Sequence, residues 1–278
     1  LAWSMSGATD NGATQTLAGT YGSLVVTEAS GAWTYTIDNA DDDTTGIDAG
    51  ETPTDTFTVT GTDTNGGSDT EVVTITITGV NDATSAGADQ TGAVTEDSGA
   101  VNSGTVAGTD DDAEAAITYA CTGCSDAGAT QTKTGTYGAW VLTEATGAWT
   151  YDLDDTDTQT KELDESDSAT EGALTVTATD SDQGSSNTDT MTITITVTGN
   201  NDVYTAGSDQ TGAVTEDSGA DVTGTVADTD PDDEASITFA CSGCADGGAT
   251  QTKTGTYGVW TLTEATGAWV YDLDDTDT

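Results

Sequence analysis

The residues with chemistry to offer are carboxylates. Asp and Glu number 50 in 278 residues, against three basic side chains and no His, for a formal net charge of −47. They return in fixed phrases. Glu96-Asp97 recurs as Glu216-Asp217, Asp110-x-Asp112 as Asp230-x-Asp232, and Asn81-Asp82 as Asn201-Asp202, each 120 residues later (216 − 96 = 120). Asp180-Ser-Asp182-Gln-Gly184 has a counterpart in Asp63-Thr-Asn65-Gly-Gly67. Calcium takes six to eight oxygens, mainly carboxylate and carbonyl, from flexible loops. Acidity alone would equally suit a salt-adapted surface or a disordered tail. The clustering of the acids at strand ends and in loops favours metal sites.

Cysteine offers a second chemistry. Cys121-Thr-Gly-Cys124 and Cys241-Ser-Gly-Cys244 stand where the first copy has Met5 and Ala8, so the fold does not depend on them. Zinc needs four ligands, and the two pairs belong to separate repeats. A redox CxxC begins a helix, and no helix of consequence is expected here. A local disulfide in each pair, formed in an oxidising setting, is the favoured reading. Catalysis has little footing. Without His there is no Ser-His or Cys-His nucleophile, and a glycosidase carboxylate pair would be lost among so many acids. The chain is not expected to be an enzyme.

The elements that must position these groups are strands. Gly135–Asp155, GTYGAWVLTEATGAWTYDLDD, recurs at Gly255–Asp275 and at Gly19–Asn39. Trp140 and Leu142 alternate with variable positions, and Trp149, Tyr151 and Leu153 alternate with Thr150 and Asp152. Period-two patterning of this kind marks strands with one buried face, and Glu144–Ala148 is a Gly-containing hairpin turn. Core packing is the expected role of Trp149 and Tyr151; a sugar-binding platform is the alternative. Further strands are expected at Gly92–Thr95, at Gly104–Val106 and around Ile117 and Tyr119. Ala173–Thr179 follows with Leu174, Val176 and Ala178 inward, then Met191–Thr198 with Ile193, Ile195 and Val197 inward. Asp154–Ala169 reads as a long acidic loop. About seven short strands in roughly 120 residues predict an all-β array of immunoglobulin-like sandwiches.

A period this long is a domain array rather than a solenoid. Boundaries after the Asn-Asp pairs give 1–82, 83–202 and 203–278, with the middle repeat complete and the outer two truncated, as in a window on a longer array. The negative charge repels nucleic acid and anionic membrane surfaces, and no apolar run approaches about 18 residues. Outward threonines such as Thr192, Thr194, Thr196 and Thr198 fit plain β-propensity, O-glycosylation or an ice-matching array; no N-glycosylation sequon is present. The uncharged window Val72–Gly79 could pair with another copy at a sheet edge, though Asp69, Glu71 and Asp82 discourage it.

Several phrases together resemble the VCBS repeat of large bacterial surface and secreted proteins, which is cadherin-like in shape. They are Gly50-Glu-Thr-Pro-Thr-Asp-Thr-Phe-Thr-Val-Thr60, Gly19-Thr-Tyr-Gly, Gly31-Ala-Trp-Thr-Tyr35, Val94-Thr-Glu-Asp97 and the closing Thr-Gly-Val-Asn-Asp82. Ala83 and Val203 stand where the family usually has Pro, and the CxxC is not a family feature. The resemblance implies a cadherin-like sandwich array, calcium binding, an extracellular or bacterial cell-surface location, and adhesion or the spacing of an adhesive tip. By similarity to cadherins, Asp63, Asn81, Asp82, Asp110 and Asp112 would form one junction. Glu96, Asp180, Asn201, Asp202, Asp230 and Asp232 would form the next. Asp97, Asp182, Glu216 and Asp217 belong to the same acidic phrases and are further candidate ligands. Neighbouring repeats are the expected partners, with other copies in a filament or a carbohydrate or cell-surface ligand as further ones.

Overall fold

The computed structural model describes residues 1–112, 116–180, 187–232 and 236–276. The fold is all-β, a tandem array of β-sandwich repeats, and the middle repeat holds its central sandwich of two five-stranded sheets. Its strands are β1 (Gln90–Thr95), β2 (Val101–Thr105), β3 (Ile117–Cys121), β4 (Ser125–Asp126), β5 (Thr130–Thr134), β6 (Gly138–Thr143) and β7 (Ala148–Leu153). After them come a single helical turn α1 (Thr158–Lys161), then β8 (Ser168–Thr170), β9 (Leu174–Asp180) and β10 (Asn187–Thr198). One sheet runs β4-β5-β6-β7-β2. The other runs β3-β9-β10-β8, with β1 added parallel along β10.

Alternation drives the sheets together. Leu174, Val176 and Ala178 of β9 and Ile193, Ile195 and Val197 of β10 are fully buried, while the threonines between them face outward. Each large aliphatic side chain so buried contributes about 1.5–3 kcal/mol. Opposite them lie Trp140 and Leu142 of β6 and Trp149 and Tyr151 of β7, paired Trp140 with Tyr151 and Leu142 with Trp149. The Trp140 ring tilts against Tyr151 at a centroid distance of 4.7 Å. Trp149 lies over Gly104, where a Cβ would come within 2.7 Å of the indole, and its Nε1 donates to Gln90 Oε1 at 3.0 Å, tying the two sheets. These aromatics are therefore core in the middle repeat, not a sugar platform. On the edge strand Trp33–Ile37 of the first repeat, the corresponding Trp33 is half exposed.

A buried carboxylate fastens the hairpin of each of the first two repeats. Glu171, 1% exposed, accepts the amides of Thr136 (2.9 Å), Tyr137 (2.9 Å) and Gly172 (2.7 Å) and the Tyr151 hydroxyl (2.7 Å). Asp55 does the same in the first repeat for Thr20, Tyr21 and the Tyr35 hydroxyl. Gly135 is required there, because a Cβ would fall 2.5 Å from the Glu171 carboxylate.

Two details depart from expectation. The segment Asp154–Ala169 is not all loop: Asp157 caps α1 by accepting Gln159 N at 2.8 Å, and Asp41 caps a matching turn, Asp42–Thr45. The first repeat manages without its cysteines because glutamine carries the anchorage. Gln15, Gln131 and Gln251 each accept the amide of Met5, Cys121 and Cys241 at 2.7 Å. Cys121–Cys124 and Cys241–Cys244 are bonded, each with a Cα separation of 5.6 Å.

Candidate metal centre

The acidic phrases gather where one repeat hands over to the next. At the first junction the Asp82 amide donates to Asp112 Oδ2 at 3.0 Å, and the Thr84 hydroxyl to Asp110 Oδ2 at 2.8 Å. Asn187, at the head of β10, donates to the Asp82 carbonyl at 2.6 Å. Asp180 pairs in register with Asn187 and with Ile117, so it belongs to this same end of the sandwich. Asn81 turns its side-chain amide onto the Asp82 carbonyl.

The second junction repeats the pattern. The Asp202 amide donates to Asp232 Oδ2 at 3.1 Å, Asn201 closes on the Asp202 carbonyl, and the Asp232 amide reaches Asp230 Oδ1 at 3.4 Å. Glu96 approaches from the middle repeat, its Oε2 accepting the Asn200 amide at 3.1 Å. Asp97 beside it adopts a positive φ of 57°, and its amide is held by Asp155 Oδ1.

Among the described residues, each junction buries carboxylate oxygen with no hydrogen-bond donor. Asp112 is 8% exposed, Asp232 7% and Glu96 2%; Asp112 Oδ1, Asp232 Oδ1 and Glu96 Oε1 lack partners among these residues, as does Asp202 Oδ2. An ionised oxygen removed from water without a donor is costly. The electrostatics agree. Burial pushes Asp112 above the usual carboxylate range; the Asp82 amide offsets part of this, while Asp110, Asp82 and Asp48 add repulsion. Burial likewise raises Glu96 against the Asn200 amide, with Asp202, Asp97 and Asp232 adding to it. Asp202 is raised by burial and by Asp97, and the Lys161 ammonium partly relieves it. This donor set, hard carboxylate oxygens with few protein donors, is of the kind a calcium ion takes. Among the described residues no three carboxylates converge into a cage.

The grouping expected from cadherin similarity needs two corrections. Asp180 sits at the first junction, not the second. From its register partner Asn187, β10 runs the length of the sandwich, roughly 35 Å at the usual rise per residue, before Glu96 is reached. Asp63 does not meet Asn81 and Asp82. It closes its own turn, accepting Asn65 N at 2.8 Å and Gly67 N at 2.9 Å. A nine-residue strand, Ser68–Thr76, separates it from the linker. Glu216 and Asp217 are exposed at the far end of the third repeat, where Asp217 copies the positive φ of Asp97. Asp182 lies outside the described residues.

One contributor escaped the sequence reading. Asp48, 3% exposed and with Oδ1 unpartnered among the described residues, adds its charge at Asp112. Gly79 places it: a Cβ there would lie 2.1 Å from the Asp48 carbonyl, so the linker packs directly on this loop.

No family model matches the chain, and no curated protein does. Solved structures that match include cadherin tandems. Human CDH23 EC21-23 is 16% identical with a TM-score of 0.47, the match covering 99% of this chain and 79% of that one. The protocadherin gammaB7 EC3-6 cis-dimer is 14% identical at 0.40, covering 100% and 60%. Drosophila N-cadherin EC1-4 is 14% identical at 0.34, covering 100% and 63%. The chain thus spans less than two thirds of the last two. No helix among the described residues is long and apolar enough to cross a membrane.

Proposed function

We propose that this chain is part of an extracellular fibre or surface adhesin of the VCBS type, a spacer whose sandwiches, 1–82, 83–202 and 203–278, are held in line by calcium at their junctions. The observation that carries the reading is the repeated pairing of a linker amide with the far repeat's Asp-x-Asp loop, Asp82 to Asp112 and Asp202 to Asp232, beside buried carboxylate oxygens that no donor among the described residues satisfies. Asp48, Asp82, Asp110, Asp112 and Asp180 would hold the ion at the first junction. Glu96, Asp97, Asp202, Asp230 and Asp232 would do so at the second. Calcium supplies positive charge there. The residues supply anionic oxygen from both flanks of a hinge, so the interdomain angle is fixed when the carboxylates cease to repel. In this reading the chain has no catalytic role, and its partners are neighbouring repeats and other copies along a filament.

Thermal unfolding and X-ray scattering of the chain, in EDTA and in millimolar calcium, test it. Calcium should raise the melting temperature, by about 2.7 kcal/mol of stabilisation at a hundred times the dissociation constant, and should lengthen the maximum dimension. If neither melting nor shape responds, the metal reading falls and the acidity is solvation, as in a salt-adapted or O-glycosylated fibre.

A further inference from the structure

One stretch of sequence adopts two structures in this chain. Residues 89–99 and 209–219 are identical, position for position. In the middle repeat, Gln90–Thr95 is the strand β1, parallel to β10 from the pair Gln90 and Ile193 to the pair Thr95 and Thr198, with Val94 buried. In the third repeat, residues 210–215 form no strand, Val214 is half-buried and Glu216 is exposed where Glu96 is buried. The difference lies in the partner. Among the described residues, the third repeat has no strand in the place of β10.

The first repeat presents the complementary edge. Its Ser68–Thr76 leads into the Asn81-Asp82 linker as β10 leads into Asn201-Asp202. That strand pairs with Thr54–Thr62 on one side and, among the described residues, with no strand on the other. Trp33–Ile37 is likewise the edge of its sheet, whereas its counterpart β7 is paired with β2. A groove touches both edges, lined in part by Trp3, Gly31, Trp33, Val59, Val72 and Val73. Trp33 is 50% exposed there; Trp149 is 3% exposed, because β2 lays Gly104 against its ring and Gln90 accepts its Nε1. The third repeat carries the same two groups. Gly224 lies against Trp269, and Gln210 accepts the Trp269 Nε1 at 2.8 Å.

We propose that residues 209–225 of one copy are a donor arm for the first repeat of a second copy. Residues 210–215 add in parallel along Ser68–Thr76, and Val222–Thr225 adds antiparallel along Trp33–Ile37, as β1 and β2 do in the middle repeat. Strand addition of this kind joins copies head to tail, and a contact that does not close on itself makes a filament. Gln210 and Gly224 pass from one indole to another, so those contacts cancel. The gain is the parallel ladder that residues 210–215 do not make in the third repeat, with the burial of Val214. Like charge opposes it, since Asp69 and Glu71 lie on the acceptor strand and Glu216 and Asp217 on the arm, so assembly needs salt or metal. The arm also carries a ligand. Glu96 follows β1, its amide bonding the Thr198 carbonyl and its carboxylate accepting the Asn200 amide at the second junction. On the first repeat, Glu216 falls correspondingly beside Thr78 and Val80, at the first junction. This calcium half of the inference rests on the function proposed above; the strand exchange does not.

The test uses the full chain, with sedimentation velocity across a concentration series. At high salt in EDTA, where the carboxylates are screened, wild type should form oligomers that lengthen with concentration. The Glu96 amide faces β10, so the Val94 amide two residues earlier faces it too. Val214→Pro therefore removes a ladder amide from a segment that forms no strand in the free chain, and should leave the protein monomeric. A synthetic peptide of residues 209–225 should cover Trp33, shift Trp emission to the blue and cap the oligomers. The same peptide with Val214→Pro should do neither, and Trp33→Phe in the chain should abolish the shift. Millimolar calcium should strengthen association about tenfold, and Glu216→Gln should cancel that gain, because metal binding and assembly are reciprocally linked. If wild type stays monomeric yet binds the peptide, the edge serves a donor other than a second copy and the exchange is overturned. It is equally overturned if the chain neither assembles nor binds the peptide, or if Val214→Pro assembles like wild type. If assembly proceeds in EDTA and calcium changes neither melting nor association, the exchange stands and the calcium spacer falls. If calcium raises melting but Glu216→Gln associates like wild type, the spacer stands and the calcium half of this inference falls.

Discussion

Glu171 and Asp112 are both buried acids, and the protein treats them in opposite ways. Glu171 lies inside the middle sandwich with three amides and a phenol aimed at it, so that although burial pushes its carboxyl up, those donors outweigh the push and hold it below the usual range. Asp112 lies at the edge of the same repeat with one interdomain amide on Oδ2 and, among the described residues, nothing on Oδ1, so burial and three acids nearby drive it up. Glu96 at the other end repeats the second arrangement. Burial by itself is thus no guide to role. What distinguishes a structural carboxylate from a proposed ligand is whether the protein supplies the donors.

The largest effect should come from breaking the satisfied one. Glu171→Ala strands three buried amides and the Tyr151 hydroxyl at once, and should cost about 3–5 kcal/mol of the middle repeat's stability. Denaturant unfolding followed by Trp fluorescence reads it, since Trp140 and Trp149 sit in the same core. A loss under about 1 kcal/mol would mean that solvent or a neighbour replaces the carboxylate, and the contrast with Asp112 would weaken.

Acidity separates the two classes by sign. A carboxyl depressed in the folded state, as Glu171 is, contributes stability that is present above its unfolded value, about 4.3, and is lost as pH falls through its lower folded value. Carboxyls raised in the folded state, as Asp112, Glu96 and Asp202 are, contribute in the other direction. Their share is present below the unfolded value and is lost as pH rises through the folded one. In EDTA, the sandwich should therefore weaken on acidification while the hinges tighten. Melting and scattering recorded over the same pH series should move oppositely; parallel movement would show that one electrostatic regime governs both.

This contrast was only half legible in the sequence. The strands were readable because their cause is local: Leu174, Val176 and Ala178, like Ile193, Ile195 and Val197, alternate with threonine over enough residues to leave one solution. Asn81-Asp82 with Asp110-x-Asp112 was readable because the phrase recurs with its spacing. The cadherin similarity misplaces Asp180 and Asp63, because an antiparallel ribbon carries its turn a full strand length from the linker that follows. Asp48 was invisible because its burial depends on Gly79 lying against its carbonyl. Glu171 was one acid among fifty. Its only signal was the thrice-repeated Gly-Thr-Tyr-Gly turn, whose tight backbone needs an acceptor from elsewhere in the chain.

The smallest expected effect is the sharpest on the ligand class. Asp112→Asn keeps an oxygen to accept the Asp82 amide and places an uncharged donor where Oδ1 has no partner, so it removes repulsion from Asp110, Asp82 and Asp48 without opening a cavity. In EDTA the change in stability should stay within about 1 kcal/mol, on the stabilising side, because the group replaced was raised rather than depressed. In calcium the variant should fall behind wild type and bind fewer ions, since a coordinating charge is gone. The order of the two proteins therefore inverts between the two buffers. A structural acid such as Glu171 cannot produce that inversion, because its removal costs the same with or without metal. A loss above about 2 kcal/mol in EDTA would place Asp112 with Glu171 and remove it from the proposed calcium site.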